Sequence, residues 1–158
     1  MLKNNLISLA IHLVLSFIIG KIYAGTAQYC VEYTDTKFWI HLGLTLLTVL
    51  LYAALAAILL KALGGASRNF LSVILPAAAG LIIYAVDVHI LTYIDSGYLE
   101  ILYPAYIILF TPILEKLSKV VAYKSIWIVF ALLPTLLMWM GLQLKAWGGE
   151  RRRRHEQV

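Results

Sequence analysis

Five long apolar runs nearly fill this chain. They lie at about 5–24, 38–60, 70–94, 98–114 and 125–144. A helix of roughly 20 apolar residues covers the hydrocarbon core of a bilayer, which is about 30 Å thick. Because lipid offers the backbone no hydrogen-bond partners, such runs form helices unless the chain shows the short alternating strands of a closed barrel. The runs therefore predict an all-α integral membrane protein, a compact bundle of five transmembrane helices with short loops.

The composition leaves no room for a soluble domain. Of the 158 residues, 62% are hydrophobic and 13% are charged, whereas soluble domains carry about 25% charged residues. We predict a single transmembrane domain over residues 1–144, followed by a basic tail over 145–158. A basic segment beside a membrane helix is typical of a lipid-headgroup contact or a topology signal. The formal charge of +5 therefore does not indicate nucleic-acid binding.

The fourth run, 98–114, is the shortest and contains Pro104 and Pro112. Each proline removes a backbone N–H donor, and Glu100 lies near the start of the run. The segment is therefore predicted either as a short tilted span or as a re-entrant element that turns back inside the membrane. In the second case the bundle has four transmembrane helices instead of five.

If all five runs span the membrane, the basic residues of the loops and those of the tail predict opposite orientations. The N-terminus and the loops 61–69 and 115–124 then share one side and carry six basic residues, against Lys21 and Lys37 on the other. This asymmetry predicts a cytoplasmic N-terminus by the positive-inside rule. The tail, however, adds five positive charges to the opposite side. If 98–114 does not span, the tail returns to the cytoplasm and the conflict disappears.

Residues 84–100, "YAVDVHILTYIDSGYLE", form a polar stretch between two apolar runs. One interpretation is structural, because Asp87 lies roughly 25 Å along its helix, near the membrane surface, where tyrosines form an aromatic belt. The other is functional, and it predicts a polar pocket that opens near residues 84–100. The candidate ligand-binding residues are Tyr84, Asp87, His89, Tyr93, Glu100 and Tyr103.

Any catalysis would depend on Asp87, His89 and Glu100 as acid–base groups. Asp87 and His89 are two residues apart, so on a helix they point about 200° away from each other and do not form a ready-made dyad. The chain has no zinc-protease motif, nucleophile elbow or phosphate-binding glycine loop. Its single cysteine, Cys30, excludes an internal disulfide. The sequence therefore predicts no metal and no cofactor, and it favours a non-catalytic role while leaving enzymatic activity open.

Two histidines and several small residues lie inside the apolar runs. His12 and His41 are expected to face the protein interior, because an ionisable side chain is costly against lipid. Ser16, Thr45 or Thr48 would supply their hydrogen-bond partners. Small residues at Ala53 and Ala57 and over 76–80 allow close approach between helices.

These features predict a multi-pass protein of a bacterial-type cell membrane that acts as a binding, accessory or transport-related component. The alternatives are an intramembrane or interfacial enzyme that acts on a lipid or a small amphiphile, and a membrane immunity or stress-response protein. Membrane lipids are the predicted partners, with another membrane protein as a further candidate and nucleic acid excluded. The oligomeric state does not follow from the sequence.

Overall fold

The computed structural model describes residues 1–29, 34–89, 106–110 and 127–155, with side chains over 1–26, 38–86, 106–110 and 128–150. These residues form helices and contain no strand, which confirms the all-helical prediction. The elements are α1 (Leu2–Tyr29), α2 (Thr34–Leu59), α3 (Ala66–Leu71), α4 (Leu75–His89), a 3-10 turn (Ile108–Phe110) and α5 (Trp127–His155).

Three of these helices are long and apolar enough to span a membrane. The spans are Leu2–Thr26 in α1, Phe38–Leu59 in α2 and Ile128–Glu150 in α5. The apolar part of α4, Leu75–Val86, is shorter. The chain thus has the helix lengths and composition of a membrane protein, as its apolar runs predict.

Helices α1 and α2 are antiparallel, because side chains pair along their whole length. The Asn4 side chain hydrogen-bonds the backbone of Lys61, and the pairs His12–Tyr52 and Thr26–His41 follow in turn. The start of α1 therefore lies beside the end of α2.

Helix α5 runs antiparallel to α4 and parallel to α2. The Lys145 ammonium donates to the carbonyl oxygen of Leu60 at 2.7 Å, which places the last turns of α5 beside the end of α2. The start of α1, residues 60–71 and the end of α5 thus share one end of the bundle, which we call the basic end. A five-span chain would place the tail at the end opposite the N-terminus. The structure instead places the two at the same end.

The third apolar run, predicted as one helix over 70–94, is broken between α3 and α4. Pro76 lacks an N–H, and side chains from other helices satisfy the backbone groups around the break. Asn5 donates to the carbonyl of Leu71 and accepts from the N–H of Leu75, both at 3.0 Å. The Thr135 hydroxyl donates to the carbonyl of Val73 at 2.9 Å and accepts from the N–H of Ala77 at 3.0 Å. These contacts let the chain break a helix within an apolar bundle.

Close packing between α2 and α5 depends on Gly141. A Cβ atom on Gly141 would lie 2.9 Å from the carbonyl carbon of Ala53 and would meet its oxygen more closely still. The prediction that small residues such as Ala53 mediate helix contact is therefore confirmed at this position.

Candidate functional site

Residues 106–110, which include the 3-10 turn Ile108–Phe110, lie inside the bundle. Tyr106, Ile107, Leu109 and Phe110 are all buried. Ile108 packs against Gly20 of α1, the Thr45 hydroxyl of α2 donates to the carbonyl of Leu109, and the rings of Phe110 and Phe130 lie 5.9 Å apart.

Irregular backbone is tolerated at membrane depth only where protein covers it. The position of residues 106–110 meets that condition, because α1, α2 and α5 all contact the segment. The Tyr106 hydroxyl also donates to the carbonyl of Pro76 in α4. This placement fits the re-entrant alternative for the run 98–114, whose other residues lie outside the described ranges.

His12 forms a polar centre directly against this segment. The side chain is fully buried, and its Nδ1 shares a hydrogen bond of 2.6 Å with the hydroxyl of Tyr52. The Tyr106 ring covers the imidazole with a centroid distance of 4.2 Å and an interplanar angle of 51°. Three different parts of the chain therefore build this centre: α1, α2 and the 106–110 segment.

Two polar atoms of this centre make no hydrogen bond of ordinary geometry with the described residues. They are His12 Nε2 and, one helical turn further along α1, Ser16 Oγ. A neutral imidazole carries one donor and one acceptor nitrogen, and the hydrogen bond of ordinary geometry here is the one at Nδ1. Buried polar atoms without partners are costly and need an explanation. We call His12, Ser16, Tyr52 and Tyr106 the interior polar site.

Most of the other buried polar side chains in the described part of the chain have a structural role. Asn4 and Ser72 hydrogen-bond to one another, and Thr48 donates to the carbonyl of Leu44 one turn back. Thr135 hydrogen-bonds the backbone groups of Val73 and Ala77 at the helix break. Among the side chains that the structure describes, the other buried nitrogens without a hydrogen-bond partner are Asn69 Nδ2 and Gln143 Nε2.

Both His12 and His41 face the interior, as predicted, but the predicted partners are wrong, because the rings hydrogen-bond Tyr52 and Thr26. His41 is buried, its ring stacks on Tyr23 at 4.1 Å, and its Nε2 lies 3.1 Å from the Thr26 hydroxyl. The hydroxyls of Thr45 and Thr48 donate to backbone carbonyls instead of an imidazole. One of these carbonyls, that of Leu109, belongs to the 106–110 segment, and the others, of His41 and Leu44, lie one turn back in α2.

Tyr52 and Tyr106 were not predicted as site residues. Tyrosine is common at membrane surfaces, whereas Tyr52 lies deep within a long apolar run. A buried tyrosine hydroxyl needs a hydrogen-bond partner, so this mid-span position was the available signal. No comparable signal marks Tyr106, because its location depends on how the 106–110 segment enters the bundle.

No family model, curated protein or solved structure matches this chain. Within the described ranges, no three His, Cys, Asp or Glu side chains come together as a group that could hold a metal ion.

The predicted site near residues 84–100 is described only at its start. Tyr84 is half-buried and packs against the core. Asp87 and His89 belong to the last turn of α4, at the end of the bundle opposite the basic end. Their side chains, together with Tyr93, Glu100 and Tyr103, lie outside the described residues. The pocket at 84–100 and the acid–base trio remain predictions.

Proposed function

We propose that this chain is a multi-pass protein of a bacterial-type cytoplasmic membrane with four crossings and a cytoplasmic basic end. Helices α1, α2, α4 and α5 alternate in direction. Among the residues that the structure describes, the basic end carries eight lysines and arginines by backbone position, against Lys21 and Lys37 at the other end. Lys116, Lys119 and Lys124 lie outside the described residues. An excess of this sign marks the cytoplasmic side. The conflict that the tail created in a five-span topology does not arise here.

Maleimide labelling tests this topology. Cys30 immediately follows α1 in sequence and lies outside the described residues, and α1 ends away from the basic end. We expect a membrane-impermeant maleimide to label Cys30 in intact cells.

A matched control replaces Cys30 with serine and exposed Ser67, at the basic end, with cysteine. This variant should be labelled only after lysis. The opposite pattern, in cells whose Cys30 reacts fully once lysed, would reverse the proposed orientation.

We further propose that the protein is a non-catalytic binding or transport-related component whose ligand enters the bundle from the end at which α4 finishes. The observation that carries this proposal is the interior polar site, where Nε2 of the fully buried His12 has no partner of ordinary hydrogen-bond geometry among the described residues and lies beside the 106–110 segment. Membrane transporters place solute sites in such positions, at mid-bundle and against irregular backbone. The chemistry at hand, one imidazole nitrogen and one hydroxyl, fits a small polar solute.

Ligand-dependent stabilisation tests the interior polar site. Purified protein would be melted in the presence of a panel of small polar solutes, since a ligand that binds only the folded state raises the melting temperature. We expect at least one solute to stabilise the wild type and to have little effect on His12→Gln or Ser16→Ala. His41→Gln, which changes the other buried histidine, should retain the response.

The stabilising solute should be recovered unchanged after incubation. Conversion of the solute, abolished by Asp87→Asn in a protein that still folds, would support the alternative of an enzyme. A panel in which no solute distinguishes the wild type from Ser16→Ala would contradict binding at the interior polar site.

A further inference from the structure

Two clefts flank the last turns of α5 at the basic end. The first, of about 500 Å³, lies between α5 and the turn at residues 65–66, and its walls include Trp139, Gln143 and Trp147. The second, of about 600 Å³, lies between α5 and the end of α2, and its walls include Lys61 and Lys145. Both clefts are lined by Ala146 and Glu150, so they meet at one place on α5.

The turn between the clefts is built by two glycines. Gly64 and Gly65 have φ angles of 70° and 97°, which residues with a side chain rarely adopt. The turn is held to α5 because the Trp139 indole N–H donates to the carbonyl of Ala66 at 3.0 Å. Trp139 thus forms a fixed wall of the first cleft, while Trp147 is largely exposed.

The charges around the clefts are predominantly positive. Lys145 is engaged with the carbonyl of Leu60, whereas Lys61 and Arg68 are exposed. Glu150 is the one acidic residue whose side chain the structure describes. The chain of α5 then continues through four successive arginines, 151–154. This end of the bundle therefore favours an anion.

We propose that the paired clefts bind one anionic phospholipid, with its phosphate at Lys61 and an acyl chain along Trp139 and Trp147. Lipid is the occupant that fits both clefts, because the first is mostly apolar and opens onto exposed Met140 and Leu144, which belong to a membrane-span helix. Basic side chains at the end of such a helix attract anionic headgroups, and tryptophan prefers the same depth. A free phosphate would leave the apolar cleft unused. This site is separate from the interior polar site and does not depend on its function.

Lipid retention by the purified full-length protein tests the proposal. Native mass spectrometry would compare adducts of phosphatidylglycerol and phosphatidylcholine after exchange in detergent. We expect the wild type to retain phosphatidylglycerol in preference to phosphatidylcholine. Lys61→Glu should lower the ratio of the two retained lipids about fivefold or more, because one basic residue near an anionic surface changes binding by about that factor. Trp147→Ala tests the apolar cleft and should weaken retention of both lipids.

The matched control is Lys21→Glu, which reverses one exposed lysine at the opposite end of the bundle and should leave the preference unchanged. Thermal melting would verify that each variant folds. Equal retention of the two lipids by the wild type, or an equal loss in Lys21→Glu, would overturn the proposal. Displacement of phosphatidylglycerol by inorganic phosphate would also overturn it, because the occupant would then be a soluble anion.

Discussion

Replacing Gly141 with alanine is expected to lower the free energy of unfolding by about 3 kcal/mol, at the upper end of the usual cost of overpacking. The added methyl group would meet the backbone of Ala53, with its Cβ 2.9 Å from the carbonyl carbon. A flexible side chain can rotate away from such a contact, but the backbone of a helix cannot. Helices α2 and α5 would therefore have to separate. Reversible unfolding in a denaturing detergent, followed by circular dichroism, would measure the change.

Gly43 supplies the matched control, because it lies within α2 and a Cβ at this position meets nothing within 4 Å. Gly43→Ala should be neutral or stabilise the protein by up to about 1 kcal/mol, since alanine restricts the unfolded chain. If the two variants unfold alike, the close approach of α2 and α5 at Gly141 does not exist in the folded protein.

Thr135→Val is expected to lower the free energy of unfolding by about 2 kcal/mol, although the two side chains have nearly the same shape. The Thr135 hydroxyl bridges the carbonyl of Val73 and the N–H of Ala77 across the break between α3 and α4. Valine would leave both backbone groups without a partner in an apolar surrounding. Thr135→Ser keeps the hydroxyl and should lose less stability. The same unfolding measurement applies.

Thr48→Val is the control for the loss of a buried hydroxyl by itself. Thr48 donates to the carbonyl of Leu44, one turn back in the same helix, and that carbonyl also accepts the ordinary helical hydrogen bond. The cost should be well below that of Thr135→Val. Equal costs would mean that Val73 and Ala77 pair with one another once the hydroxyl is gone.

The run 98–114 could be interpreted in part from the sequence, whereas the position of the tail could not. The prolines of the run 98–114 indicated that it need not span, and the buried position of residues 106–110 fits that alternative. The tail could not be assigned to a side from charge alone, because the count of crossings decides its side. The hydrogen bond from Lys145 to Leu60 shows that the last turns of α5 and the end of α2 lie at the same end of the bundle.

Less of the candidate site than of the fold could be predicted from the sequence. His12 was recognised as an interior residue because a histidine against lipid is unfavourable whatever its partner is. Tyr52 and Tyr106 were not recognised as site residues. The mid-span position of Tyr52 was a signal that it needs a buried partner, whereas nothing local distinguishes Tyr106 from a tyrosine at a membrane surface. The residues around 84–100 were selected for their local polarity, and their role remains a prediction.

The sequence by itself determined the helical fold, the helix lengths suited to a bilayer and the burial of His12 and His41. These properties depend on the length of an apolar run and on the chemistry of single side chains, both of which are local. Only the tertiary structure decided the His12–Tyr52 pair, the bridge from Thr135 to Val73 and the meeting of the tail with the N-terminal end. These contacts join residues 40 and 62 positions apart in the first two cases. The apolar pattern of a membrane helix is nearly uniform around its circumference, so it does not specify which faces of distant helices meet.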